Sequence, residues 1–292
     1  MQQLSFIEAV ATPKIVNVAS VPQRSPFRYP GGKTWLVPQV RDWLRSLPKR
    51  PTLFIEPFGG GGIISLTVAC EQLADRVLMV ELDAGVAAVW KTIVEGDAAW
   101  LGEEIVRFTL TPETFRERLA RPADTTAELA FQTILKNRVN RGGILAPGAG
   151  VSKVGENGKG ILSRWYPQTL RRRILDIAMV RDRITFIEGD GLAVLRQHRE
   201  RADTVTFIDP PYTAGGKRAG SRLYNHTELD HGELFAITAS FSGDFLMTYD
   251  DAAELHQLAA HHRFQTRTIA MKNTHHAKMN ELLIGRRLDW LA

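Results

Sequence analysis

At 292 residues, with 44% hydrophobic and 24% charged side chains, the chain has room for one large α/β domain with an insertion or for two modest domains. Its single cysteine, Cys70, excludes an internal disulfide framework and a cysteine-based zinc site, and no apolar run approaches the roughly 20 residues of a membrane span. The net charge of +5 is unevenly spread: Ile105 to Arg183 holds 15 Lys and Arg against 7 Asp and Glu, a local excess of +8 that leaves the remainder near −3. A regional excess of this kind suits a polyanion-binding module better than a merely solvated helical face. With no signal-peptide pattern at the start, an intracellular, cytoplasmic protein is expected.

Residues 1–24 show no periodicity and carry Pro13 and Pro22, so an extended arm is expected there. Next come Phe27-Arg28-Tyr29-Pro30-Gly31-Gly32-Lys33 and an apolar series, Leu36, Val40, Trp43, Leu44 and Leu47, at helical spacing. The Gly-Gly turn allows close approach to a ligand, with Lys33 available for a carboxylate or phosphate, although a simple turn explains it as well. Leu53 to Glu56 reads as a buried strand running into Pro57-Phe58-Gly59-Gly60-Gly61-Gly62, and a helix follows from Ile63 to Leu73. A strand, a glycine turn and a helix make a nucleotide-type site, but the loop has neither a Walker ending nor the dinucleotide spacing. A second strand, Arg76 to Val80, ends in Glu81-Leu82-Asp83, where an acidic side chain is placed to hold a ribose hydroxyl pair. Glu81 is the preferred residue and Asp83 the reserve, since Asp83 also suits the start of the next helix.

From Gly96 to Arg183 the alternation of strand and helix stops. Helices are expected after the cap Thr111, over Thr126 to Val139 and over Gln168 to Val180. Between the last two lies a long polar, glycine-rich stretch too long for an idle connection, with Asn137, Arg138, Asn140, Arg141, Lys153, Lys159 and Arg164 of the kind that reach bases and phosphates. The α/β pattern resumes at Ile184 to Ile187, followed by Asp190, which either accepts from an adenine amino group or caps the helix Gly191 to His198. Thr213 to Arg222, with Lys217 and Arg218, is expected to form a lid. A helix from Asp230 to Phe241, strand Phe245 to Tyr249, helix Ala252 to His262 and alternations near Thr266 to Ala270 and Glu281 to Ile284 complete the sheet. The histidines show no ligand spacing, and no metal is assigned.

The most informative stretch is Thr206-Phe207-Ile208-Asp209-Pro210-Pro211-Tyr212. Two prolines cannot join a ladder, so the chain leaves the sheet there and places Asp209 and Tyr212 at the carboxyl edge, where ligands of open α/β sheets bind. The Asp209 carboxylate and the Pro210 carbonyl could both accept from one amino group, with Tyr212 stacking on the ring that bears it; an extruded nucleobase fits this. Taken alone, the tetrad serves equally as a helix cap and a packed ring.

Taken together, Phe27 to Lys33, Phe54 to Gly62, Glu81-Leu82-Asp83 and Asp209 to Tyr212, in this order, resemble the D12 class of DNA adenine methyltransferases, the family of the Dam enzymes. The resemblance extends to Tyr224 to Leu234 and Glu281 to Ile284, while Asn137 to Gly143 echoes the family's recognition segment only loosely. It implies an α/β fold, a Rossmann-like methyltransferase sheet with helices on both faces, formed by residues 25–104 and 181–292, with a mainly helical target-recognition insert at 105–180. It also implies S-adenosyl-L-methionine as cofactor and double-stranded DNA as partner, with or without a companion restriction endonuclease, in a prokaryotic or phage-infected cell; the alternatives are the same chemistry on RNA adenine or a catalytically silent DNA-binding relative. Phe27, Tyr29, Gly31, Lys33, Glu56, Pro57, Phe58, Gly59, Gly60, Glu81, Asp83, Asp190 and Asp209 would then face the cofactor. Asp209, Pro210, Pro211 and Tyr212 would hold the target adenine.

Overall fold

The computed structural model describes residues 18–211, 229–272 and 278–291. Seven strands form one sheet: β1 (Leu53–Glu56), β2 (Arg76–Glu81), β3 (Ile184–Glu188), β4 (Thr204–Ile208), β5 (Asp244–Asp250), β6 (Gln265–Lys272) and β7 (Lys278–Gly285). They lie in the order β3-β2-β1-β4-β5-β7-β6. The first five are parallel, and β7 runs antiparallel to both of its neighbours. Strands covered on both faces need continuous apolar runs, and every residue of β4 is buried. Because the chain steps outward from β1 to β3 and then returns to the other side of β1, the order reverses between β1 and β4. A crevice opens at such a reversal, outside the carboxyl ends of the strands. Glu56 ends β1 and Asp209 follows β4, so the topology brings these two carboxylates to one edge.

One face of the sheet is covered by α1 (Val37–Ser46), α2 (Ile63–Glu71) and α3 (Ala84–Val94), backed by α4 (Ala98–Arg107), α6 (Thr126–Val139) and α7 (Pro167–Ala178) in a single apolar cluster. The other face is covered by α8 (Gly191–His198), α9 (His231–Ala239) and α10 (Ala253–His261) in a second cluster. Helix α4 goes beyond the expected elements. It is capped by Asp97, whose side chain accepts from the Trp100 backbone, and it contacts α7 along its length. A short helix, α5 (Pro112–Ala120), carries the expected cap at Thr111. Since α6 packs on α3 and α7 on α4, residues 105–180 share the main core and have no core of their own.

The most consequential contact of this region is Asn137, expected to read DNA. Its side chain is fully buried; Oδ1 accepts from the Arg28 backbone N–H at 2.8 Å, and Nδ2 donates to the carbonyls of Arg28 at 3.0 Å and Gly143 at 2.8 Å. Asn137 therefore holds residues 27–33 in place from behind and does not reach outward. The position of Gly143 depends on the same contact: its φ of +77° is left-handed, and a Cβ there would run into the Arg28 carbonyl. Asn137→Ala removes all three bonds and strands buried backbone groups. It should lower stability by about 2–4 kcal/mol in denaturant unfolding, whereas exposed Arg141→Ala should stay within about 0.5 kcal/mol.

Candidate active site

At the carboxyl edge lies a cleft of about 750 Å³ whose wall includes Tyr29, Lys33, Glu56, Gly60, Glu81, Asp190 and Asp209. Gly31, Pro57, Phe58, Gly59, Asp83, Pro210 and Pro211 border it too, so the residues expected to meet a cofactor do converge on one cavity. Tyr212, Lys217 and Arg218 lie outside the described residues.

The glycine loop departs from the simplest expectation. Gly59 donates to the Val80 carbonyl at 2.7 Å and Trp90 Nε1 donates to the Gly60 carbonyl at 2.9 Å, so the loop is tied to β2 and α3. A Cβ on Gly60 or Gly61 would come within 2.8 Å of Tyr29. Two of the four glycines thus make room for an aromatic side chain of this chain, which in turn forms part of the cleft wall. Phe27 also borders the cleft and is mostly buried, packing on Trp90 with ring centroids 5.7 Å apart.

The acidic side chains divide by environment. Glu56 is buried; its Oε2 accepts from the Ser65 backbone N–H at 2.9 Å, in the first turn of α2. Burial raises its pKa to about 8 despite this donor, and the charges of Asp209 and Glu81 push the same way. Glu81 is partly open to the cleft. Its Oε2 accepts from Gly60 at 2.7 Å and its Oε1 from Leu82 and Asp83, both at 2.9 Å. Burial still raises it, to about 7, while those three backbone donors favour its charged form. Asp83 caps α3 by accepting from Val86, and Asp190 caps α8 by accepting from Leu192. Both capping roles expected from the sequence are therefore present, and both residues still border the cleft.

At the centre, Lys33 Nζ lies 2.9 Å from Asp209 Oδ1 and 3.4 Å from Glu281 Oε1, and it donates to the Gly31 carbonyl at 2.8 Å. Thr248 Oγ1 donates to the same Asp209 oxygen at 2.8 Å. The lysine offered by sequence to a ligand is 3% exposed and instead holds two carboxylates of its own chain. Glu281 was not among the expected site residues. It sits in β7, opposite Asp250 of β5, and a strand that runs backwards brings its amino-terminal half to the carboxyl edge.

Of the residues expected to bind DNA, Asn137, Arg138 and Asn140 are buried and hold backbone carbonyls, and Arg138 also borders the cleft. Arg138 donates to the Pro26 carbonyl, and Asn140 to the Ile144 carbonyl at 2.8 Å. Arg141, Lys153 and Lys159 are exposed, and Arg164 borders the cleft. Arg28 and Arg173, which the sequence did not single out, border it as well; burial lowers the pKa of both, and the nearby charge of Arg164 adds to this at Arg28. The cleft thus combines an acidic floor with an arginine-bearing wall.

No family model and no curated protein matches the chain. Similar solved structures include a Pyrococcus horikoshii protein described as an RNA methyltransferase, 10% identical, covering 89% of this chain and 84% of that one at a TM-score of 0.38. Another is a precorrin-6y C5,15-methyltransferase from Geobacter metallireducens, 10% identical, covering 86% of each chain at 0.36. A third is the rRNA methyltransferase aviRa from Streptomyces viridochromogenes, 13% identical, covering 86% and 82% at 0.35. At these identities and scores the neighbours carry no argument for what the cleft does.

Glu56 gives a pH test of the site. Its folded pKa, about 8, lies above the ordinary value of 4.5, so the folded state keeps a proton that the unfolded chain has lost. That contribution is complete below about pH 4.5 and disappears as pH rises through about 8. Glu56→Gln should remove it, so the variant's melting temperature should gain on the parent's between pH 5 and 8.5, by a few kcal/mol in stability terms. Parallel curves across that range would contradict the assignment.

Proposed function

We propose that this chain is an S-adenosyl-L-methionine-dependent methyltransferase acting on the exocyclic amino group of adenine in DNA. The observation that carries the reading is the position of Asp209. It follows β4 at the sheet's reversal point, is braced by Lys33 and Thr248 on one oxygen, is followed by two prolines and shares a cleft with the glycine loop. The order of motifs that resembles the D12 class supports the same reaction.

The cleft suits that cofactor for a physical reason. Its floor gathers Glu81, Asp83, Asp190 and Asp209, a set that favours hydroxyls, amines and a positive sulfonium. Glu81, at the end of β2, would hold the ribose hydroxyls, and Asp190 would lie near the adenine moiety. When bound, the cofactor supplies an electrophilic methyl group on sulfur.

The protein's own contribution centres on the target nitrogen. An adenine amino group is a poor nucleophile because its lone pair is delocalised into the ring. Asp209 and the Pro210 carbonyl would accept its two hydrogens and favour a pyramidal nitrogen whose lone pair points at the methyl. The bound cofactor would supply the methyl as an electrophile and keep the electron pair of its carbon–sulfur bond, so the nitrogen lone pair would form the one new bond. The nitrogen then gives up one proton, and Asp209 stands in position to receive it. The arginines of the cleft wall, Arg28 and Arg164 among them, would meet the phosphates flanking an extruded base.

Incubation with labelled cofactor and either unmethylated duplex DNA or structured RNA, followed by nucleoside analysis, tests the proposal. N6-methyladenine in the DNA is expected, and transfer to RNA alone, or none with the cofactor bound, would overturn it. Asp209→Ala should abolish transfer while cofactor binding largely survives. Arg28→Ala should weaken DNA binding and reduce the slope of log affinity against log salt by about 1.

A further inference from the structure

Glu281 is the buried carboxylate that the proposed reaction leaves without a task. It is 3% exposed; Oε1 faces Lys33 at 3.4 Å, and Oε2 is enclosed without a hydrogen-bond partner among the described residues. Lys33 in turn lies 2.9 Å from Asp209. One ammonium therefore joins a carboxylate open to the cleft with a carboxylate sealed into the sheet. The charged groups that act on Glu281 come from three elements: Lys33 from the loop before α1, Asp209 from the end of β4 and Asp250 from β5. Its neighbour in β6 is Ile269, which does not titrate.

We propose that Glu281 is a positioning residue that sets how firmly Lys33 grips Asp209, and so couples the strength of Asp209 as an acceptor to pH. The inference rests on the reading of Asp209 as the group that receives the target amino hydrogens. Ionised Glu281 draws the ammonium toward itself and leaves the Asp209 carboxylate more basic. Protonated Glu281 releases the ammonium to Asp209, and the acceptor weakens. Burial pushes Glu281 up to about 7, with the negative charges of Asp209 and Asp250 adding to the rise and Lys33 opposing it, so the exchange falls near neutral pH.

The consequence separates this role from a purely structural one. Below neutrality the parent already holds Glu281 uncharged, so Glu281→Gln should change little; above neutrality the parent gains what the variant lacks. In single-turnover methyl transfer the two should be nearly equal at pH 6 and about tenfold apart at pH 8.5, with cofactor affinity unchanged. A loss of the same size at every pH would overturn the proposal.

A second measurement needs no turnover. In ligand-free protein carrying ¹³C at the glutamate side-chain carboxyls, the resonance missing from Glu281→Gln identifies Glu281. It should titrate near neutrality, and its midpoint should fall in Asp209→Asn, where a neighbouring negative charge is gone. A midpoint in the ordinary carboxylate range, or one indifferent to Asp209→Asn, would also overturn the proposal. Coupled titration without any transfer to DNA would overturn the reaction reading, and the charge coupling would stand on the resonance data.

Discussion

A single buried ammonium governs how this cleft is built. Lys33 is held among a backbone carbonyl, Asp209 and Glu281, and each of these arrives from a different part of the chain. Uncompensated buried carboxylates are costly, and one cation shared between two of them makes the arrangement tolerable. The remaining acids of the floor are met by other means, with backbone N–H groups donating to Glu56 and Glu81. The acids at this edge are thus supported by oriented dipoles and one lysine, and they face the arginines of the opposite wall across the cleft.

That electrostatic character links the fold to the chemistry. The sheet reverses between β1 and β4, which puts Glu56 and Asp209 beside each other; the glycine loop, tied to β2 and α3, closes the same edge. Residues 27–33 line the cleft, and Asn137 clasps Arg28 among them from the helical region. The region between α4 and α7 is therefore structural on its inner side and basic where it borders the cleft. One stretch of sequence both locks the lysine-bearing segment and supplies arginines.

Much of this could be read in advance, for identifiable reasons. Pro210 and Pro211 exclude a continuing strand, which placed Asp209 at the edge before any geometry was known. The bounds of α6 and α8 agree with the expected spans, and α8 begins after the Asp190 cap. What escaped was set by pairing between distant segments. Glu281 comes to the site because β7 runs antiparallel between β5 and β6, a pairing that the stretch Glu281 to Ile284 does not reveal by itself. Asn137 has the side chain of a nucleic-acid reader, but burial turned it toward the carbonyls of Arg28 and Gly143. Likewise, Phe27 borders the cleft as expected, but its packing on Trp90 joins residues far apart in sequence.

The central claim is that Asp209, in this acidic cleft, directs methyl transfer to adenine amino groups in DNA. Sequence-resolved mapping of modified adenines in DNA from cells expressing the chain, beside cells expressing Asp209→Ala, tests it most directly. N6-methyladenine recurring at one short sequence with the intact chain, and absent with the variant, is the predicted result. An unmodified genome in both, or the same pattern in both, would contradict it.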